Sequence, residues 1–467
     1  MRLGRISTAA PLADCVSTFF GSVLESAAAP ASSDDESLVP QPPHQGKLYS
    51  TPLYHWFVDH NLGDVIHGHF GSLSDAGRCL DVLLQYVLMT VVVTIDGDAI
   101  EMKTTVKFTG DDREFVEKCM DSETVEQMKE LGLFGATISE EYGGLGLSAS
   151  TYSRIVSRIC EVWMAPSGIF NSHLIMASCV ERAGTQAQKE HFLPKFATGE
   201  LRGGIGLTEP DAGSDLQGIR LVAKKDGDHY VLNGTKAVVV AAPWANKLIV
   251  SARISGDQRD SDGLGLFIVE KSAAGVSTQD YPTVDGNRAS EVTLENVAVG
   301  GDALIGDASN GLALLEEALD YGIGAVCAEA IGHMKCLNDA TVEYCKTRKQ
   351  FGVPIGSFQV LQHRMVDMFM EYEQSVSMTY MVNMKLVEGE AERKKAAAGA
   401  KVQIGKSGRF VGQQAVQLHG GMGMTDELAV GHYFKRLTMI DSEFGNVDHH
   451  LKRYTELSAA DVPAAAE

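Results

Sequence analysis

Hydrophobic positions divide the chain into a helical part, a strand-like part and a second helical part. From Asp111, the apolar residues Phe115, Cys119, Val125, Met128 and Leu131 fall on one helical face, stopped by Gly132 and then by Gly143-Gly144. A further helix is predicted over residues 149–183 with Gly184 as its C′ residue, then a short one over 187–192 closed by Leu193-Pro194. Between 205 and 300 the period drops towards two. Tyr230-Val231-Leu232 and Ala237-Val238-Val239-Val240 read as a hairpin across Asn233-Gly234, and further strands are predicted at 248–253, 266–270 and 291–297. Strands this short and dense predict a compact barrel or sandwich rather than a parallel sheet. After Gly311 the helical period returns, with Leu312, Leu315, Leu319, Ile323, Val326, Ala330, Met334 and Leu337 stepping by three and four. Val353-Pro354 interrupts it. A new stripe follows through Leu361, Met365, Met368, Tyr372 and Val376, with a third helix over about 392–418 and a fourth from Leu428 onward. Long amphipathic helices on short connections predict an antiparallel four-helix bundle.

The resulting architecture is multidomain and mostly α with a central β part. Residues 1–50, rich in Ser, Ala and Pro, have linker or disordered composition. Residues 51–110 form an atypical N-terminal region. They hold His55, His60, His67 and His69, and the run Val91-Val92-Val93-Thr94-Ile95 before Asp96-Gly97-Asp98. No Cys or carboxylate joins these histidines at a recognised metal-ligand spacing, so no metal site is expected. A helical domain is expected over 111–204, the β domain over 205–303, the helix bundle over 304–457 and a tail over 458–467.

Composition narrows the partners. Across 467 residues, 61 acids against 40 bases give a formal charge of −21, which excludes nucleic acid as a bulk electrostatic partner but not a small anionic ligand. The eight cysteines form no Cys-x-x-Cys pair and read as core residues of a reducing compartment. The longest apolar run, residues 86–95, is too short to span a membrane. Arg2 and Arg5 stand in an acid-free start of transit-peptide character. The expectation is nonetheless a plain start and a soluble, cytoplasmic protein, with a mitochondrial location as the alternative.

One loop concentrates candidate chemistry: Leu207-Thr208-Glu209-Pro210-Asp211-Ala212-Gly213-Ser214-Asp215-Leu216. Thr208 and Ser214 offer hydroxyls, and the N–H groups around Gly213 are able to converge on an anion. The same string also suits a tight loop with no ligand. No Gly-x-Gly-x-x-Gly opens a helix after a strand, which disfavours a Rossmann-bound nicotinamide.

That loop does not stand alone. In order along the chain come Glu140-Glu141-Tyr142-Gly143-Gly144-Leu145-Gly146, Leu193-Pro194 with Gly199-Glu200, the loop 207–216, Asn233-Gly234-Thr235-Lys236, Arg348-Lys349-Gln350-Phe351-Gly352, Phe358-Gln359 and Gln417-Leu418-His419-Gly420-Gly421. Together they resemble the acyl-CoA dehydrogenase family over roughly residues 111–455. Within it, residues 355–370 and 402–451 are most similar to pimeloyl-CoA dehydrogenase small subunits. The resemblance implies an FAD held between the β domain, the C-terminal helices and a neighbouring subunit. Leu207, Thr208, Gly213 and Ser214, with Val238 and Val240, correspond to the lining of the flavin and pyrophosphate, Ser214 meeting a phosphate of FAD or CoA. Arg348 corresponds to a pyrophosphate ligand of the adjacent subunit's FAD, and Gln417, Gly420 and Gly421 to its adenosine side. Phe351, Phe358, Gln359 and Asn446 complete the implied cofactor contacts. Arg348 alone also suits a helix C-terminus, and Gly420-Gly421 an ordinary helix stop.

The implied reaction is removal of an α-proton from an acyl-CoA thioester by a glutamate while the β-hydride passes to flavin N5, with electrons leaving to an electron-transferring flavoprotein. Three positions depart from the family's pattern. Val238-Val239-Val240 replaces the aromatic-Ile-Thr triplet. Phe444 of Phe444-Gly445-Asn446 stands where the base is usual, with Glu443 adjacent as the candidate substitute if the loop shifts by one residue. The family's other base location falls on Gly322, with Ile323 where arginine is usual. The expected protein is therefore one subunit of a homo- or heterotetramer, the latter with a paralogous partner. The alternatives are a non-catalytic structural subunit and a flavin monooxygenase-like member of the family.

Overall fold

The computed structural model describes residues 89–96, 99–106, 126, 128–161, 164–307 and 310–460. The predicted helical positions Phe115, Cys119 and Val125, the histidines between 55 and 69, and the expected linker and tail ends lie outside them. The β-branched run before Asp96-Gly97-Asp98 forms β1 (Met89–Asp96), antiparallel to β2 (Ala99–Val106), with Asp96 opposite Ala99 and Met89 opposite Val106.

The remaining elements form one compact unit. It opens with three helices, α1 (Ala149–Cys160), α2 (Ala165–Ala183) and α3 (Gln186–Ala197). Three expectations change here. The single helix over 149–183 is two, because Pro166 occupies the first turn of α2, where its missing N–H is not needed. Gly184 ends α2 without a left-handed turn, at φ −64. Its small size is what matters, since a Cβ would lie 2.5 Å from the Val180 carbonyl oxygen. α3 runs through Pro194 instead of stopping there. A Thr185–Gln188 capping box starts it, and exposure at Glu190 and Pro194 leaves the freed carbonyl to solvent.

The middle part is an eight-stranded sheet built from β3 (Gly203–Gly206), β4 (Val222–Asp226), β5 (His229–Val239), β6 (Lys247–Arg253), β7 (Leu264–Glu270), β8 (Val276–Pro282), β9 (Arg288–Gly300) and β10 (Leu304–Ile305). Its order is β10-β7-β6-β4-β5-β9-β8, with β3 alongside β6. Pairings are antiparallel except β3–β6 and β4–β6. The hairpin predicted across Asn233-Gly234 does not form. Gly234 lies inside β5 at a register shift, at φ 147, and a Cβ there would meet the Leu221 Cα at 2.7 Å. The hairpin that does form joins β4 to β5 and turns at Gly227, φ 60.

α4 (Gly311–Thr347) has 37 residues and spans roughly 55 Å. It is buried on several faces because it serves two cores. Leu314, Leu315, Ala318 and Leu319 join the cluster under the sheet and α2, while Ile323, Val326, Met334 and Leu337 join the cluster of the C-terminal helices. A two-rung hairpin, β11 (Lys349–Gln350) and β12 (Val353–Pro354), leads to α5 (Gln359–Lys385) and α6 (Glu390–His419). The predicted single fourth helix is two, α7 (Ala429–Ser442) and α8 (Val447–Ala460), both packed on α6. The break falls at 443–446, where Phe444 and Gly445 adopt φ 56 and φ 103.

Candidate functional site

β3 delivers the chain into the loop 207–216, and its start is pinned from α2. His173 Nδ1 accepts the Gly203 N–H at 2.9 Å, while Nε2 faces the Phe196 carbonyl at 3.2 Å. Burial pulls this imidazole down to about 4, so it packs as a neutral group. Within the loop, Glu209 turns inward. Its carboxylate accepts the backbone N–H groups of Arg220 (2.7 Å) and Leu221 (3.1 Å) and pairs with Lys236 Nζ at 2.7 Å. Lys236, on β5, is fully buried and also donates to Ser251 Oγ at 3.0 Å. Burial pulls its ammonium down to about 8 against the pull of Glu209. The Thr208 carbonyl accepts the Ala237 N–H at 2.8 Å, so β5 holds the loop's first half on a second side.

This inward scaffold sets what the loop presents outward. Thr208 is exposed and Ser214 half-exposed, and among the described residues neither hydroxyl has a hydrogen-bond partner. A Cβ at Gly213 would meet nothing within 4 Å. Leu207 is buried beneath them. Sequence reasoning missed Glu209 and Lys236. No local signal singled them out, since Glu209 shares its loop with Asp211 and Asp215, both outside the buried set.

Val238 follows on the same strand at a second register shift, at φ 54 and 44% exposed. A β-branched residue in the left-handed region is strained, and such strain collects at functional sites. Replacing Val238 by Asn, which tolerates that region, is expected to stabilise the protein by about 1 kcal/mol. A higher denaturant midpoint at unchanged slope is the measurement that checks it. Val240 lies beside α2, its Cγ1 3.4 Å from where a Cβ of Gly168 would stand.

The turn between α7 and α8 carries the positions considered for a base. Phe444 directs its ring at α4. A Cβ on Gly322 would stand 3.1 Å from Phe444 Cε2 and 2.9 Å from Ile175 Cδ1 of α2. The two base positions implied by the family resemblance therefore face each other, and a phenyl ring fills the space between them. Glu443, the adjacent candidate, turns its side chain to α7. Its carboxylate accepts from Arg436 Nη1 at 2.7 Å and Nη2 at 3.3 Å. Arg436, 2% exposed, also donates to Glu329 of α4 and to Asp285 of the β8–β9 turn, the latter at 3.0 Å. Burial works against the Glu329 charge, but Arg436 and His333 outweigh it and hold that carboxyl at about 2. Burial pushes Glu443 up. Asn446 caps the first turn of α8, its Oδ1 accepting the His449 N–H at 3.0 Å. Asp215, from the loop 207–216, is among the charges acting on His449.

A third group lies at the far end of α4. Tyr344 and His419 pack with ring centroids 4.4 Å apart and so join the C-terminal ends of α4 and α6. Arg348, Phe351, Gln417, Gly420 and Gly421 follow from these ends, all exposed, and Phe358 and Gln359 begin α5. Arg348 pairs with no carboxylate of the described residues. Phe351 forms the β11–β12 tip with Gly352 at φ 53 and φ 83, the pattern of a type I′ turn, and is 93% exposed. From Gly322 to Thr347 is roughly 38 Å along α4, so this group and the Phe444 turn stand far apart.

An exposed and a half-exposed hydroxyl beside an open glycine, and an exposed guanidinium with two further open glycines at the end of α6, match the donor set that phosphate oxygens and an approaching adenosine require. They fit FAD, although Val238 offers no aromatic face to its ring. No three His, Cys, Asp or Glu side chains among the described residues are grouped to hold a metal, and no described helix is long and apolar enough to cross a membrane.

Comparison with known proteins extends over the same span. Family models described as the acyl-CoA dehydrogenase N-terminal, middle and C-terminal domains match residues 106–200, 204–297 and 309–452. The probable acyl-CoA dehydrogenase YngJ of Bacillus subtilis is 34% identical over 313 residues, covering 66% of this chain and 82% of that one. The glutaryl-CoA dehydrogenase of Desulfococcus multivorans is 31% identical over 322 residues, covering 67% and 82%. The solved structure of butyryl-CoA dehydrogenase from Megasphaera elsdenii superposes with a TM-score of 0.68 at 26% identity, covering 76% of this chain and 100% of that one.

Proposed function

The chain belongs to the acyl-CoA dehydrogenase family, and from that premise we propose that it serves acyl-CoA α,β-dehydrogenation as one subunit of an oligomer with a paralogous partner, with electrons leaving to an electron-transferring flavoprotein. It is a flavin-dependent oxidoreductase of acyl-CoA thioesters, and FAD, when bound, supplies the hydride acceptor. Thr208, Gly213 and Ser214 hold the flavin and pyrophosphate side, with Leu207 beneath and Val238 and Val240 as the wall. Arg348, Phe351, Gln417, Gly420 and Gly421, with Phe358 and Gln359, serve the FAD of the neighbouring subunit. Asn446 sets the turn beside the thioester.

The observation that carries the partner requirement is the Phe444 ring on Gly322, with Glu443 committed to Arg436. A base must come within hydrogen-bond reach of the α-carbon proton, and at these positions this chain offers carbon. The same observation favours a second reading, a structural subunit with no active site of its own. Co-purification with the paralogous neighbour, followed by FAD counting and anaerobic acyl-CoA bleaching, separates the readings. A homo-oligomer with one FAD per chain that oxidises acyl-CoA unaided would overturn the partner requirement. A heteromer retaining activity when Arg348 and Gln417 are replaced would favour the structural subunit.

Assembly is supported by exposed apolar surface. Along α5, Val366, Phe369, Met370, Tyr380 and Met384 fall within one face and are all exposed. Phe351 on its strained turn adds an aromatic residue that solvent alone does not stabilise. Phe351→Ser is expected to cost the assembly about 2 kcal/mol of apolar burial while leaving the subunit folded. Sedimentation would then show dissociation at concentrations where the wild type stays assembled, with an unchanged melting profile for the isolated chain.

A further inference from the structure

Residues 429–460 carry helical periodicity throughout, yet the helix breaks at 443–446. The local sequence explains only part of this. Gly445 permits its own φ of 103, but Phe444 at φ 56 is a bulky residue held where bulky residues rarely go. The break also strands the last carbonyls of α7 in a buried setting, where they require donors.

One side chain meets that need. Lys401 of α6 is fully buried and pairs with no carboxylate of the described residues. Its Nζ donates to the carbonyls of Ile440 (2.7 Å) and Asp441 (3.0 Å) at the end of α7, and to that of Gly445 (2.8 Å) across the break. All three ammonium protons are thus spent on one turn. His450 of α8 closes the remaining side, its Nε2 meeting the Phe444 carbonyl at 2.9 Å. We propose that Lys401 is a positioning residue, whose ammonium holds the turn 443–446 in the form that directs the side chain at position 444 onto Gly322. Its bearing on catalysis rests on the proposed function. Its bearing on the turn rests on these contacts alone.

Charged and titratable groups reach Lys401 from each packed element: Cys327 of α4, Asp441 of α7, Glu443 of the turn, and His449 and His450 of α8. Burial pulls Lys401 down to about 8, pushes Cys327 up to about 12, pulls His450 down to about 3 and lowers His449, while burial raises Glu443.

Hydrogen exchange on the full chain tests this without flavin or thioester, so its failure and that of the proposed function are distinguishable. At pH 7, Lys401→Met is expected to speed exchange over residues 440–450 by tenfold or more, with β6 and α4 unchanged, and Lys401→Arg to restore most of the protection. Lys401→Gln, a neutral side chain with two donors, is expected to fall between Lys401→Met and Lys401→Arg. A segment equally protected in Lys401→Met, or one that Lys401→Arg leaves as unprotected as Lys401→Met does, would overturn the proposal. If Lys401→Met does not fold, Lys401→Gln against Lys401→Arg decides it, and equal protection in those two would overturn the proposal.

Discussion

Lys236→Met is expected to destabilise the protein by about 3–5 kcal/mol and to lower its FAD content in parallel. Glu209 would remain buried with two backbone N–H groups and no cation, and removing one partner of a buried pair strands the other charge. The loss reaches function because Glu209 fixes the backbone at Arg220 and Leu221 and so shapes the loop that presents Thr208 and Ser214. Adding Glu209→Gln to Lys236→Met should recover part of the stability, since the stranded charge is gone. Chemical unfolding of the two variants and their combination measures the coupling. The pH dependence has a definite sign. Lys236 is held near 8 when folded and titrates at its higher ordinary value when unfolded. Over that interval the unfolded chain binds more protons, so wild-type stability should gain on Lys236→Met as pH rises above 8, and the gain should end at the unfolded value.

Why this pair escaped sequence reasoning shows what a sequence carries. The three-part order of helix, strand and helix was legible because each part repeats its own period over dozens of residues. Leu315, Leu319, Ile323 and Met334 are buried as their spacing predicts. The loop 207–216 was legible as a loop because Pro210 and Gly213 punctuate it. What failed was local punctuation whose meaning is set from a distance. Asn233-Gly234 has the composition of a turn, but Leu221 presses on Gly234 and leaves a bulge inside β5. The break at 443–446 depends on Lys401, some forty residues earlier. Glu209 and Lys236 lie 27 residues apart, and Arg436 meets Glu329 and Asp285 at separations of 107 and 151. Nothing in such residues' neighbours along the chain distinguishes a buried ion from a solvated one.

The same limit applies to the base: Phe444 and Gly322 stand at its two usual positions along the chain, and only the structure brings them together. Because Phe444 and Gly322 meet, one substitution can supply what both positions lack. Phe444→Glu is expected to raise α-proton exchange of a bound acyl-CoA by on the order of 10²–10⁴-fold in the FAD-loaded chain without its partner, the usual worth of a positioned general base. The surroundings suit the role. Ile175 and Gly322 are apolar neighbours, so burial would push the new carboxyl up towards neutrality, as a base working near pH 7 requires. Phe444→Gln, matched in size and unable to take the proton, should stay at the wild-type level. Deuterium uptake at the α-carbon from heavy water, read by mass spectrometry, isolates the proton step from oxidation. Melting curves should come first, because the Phe444 ring packs against both hydrophobic clusters and its loss has a structural cost. A folded, FAD-loaded Phe444→Glu chain that exchanges no faster than Phe444→Gln would mean that the chain lacks more than a base. A wild-type chain that already exchanges at an enzymatic rate would mean that its base comes from elsewhere in the fold, and the partner would then be needed for something other than proton abstraction.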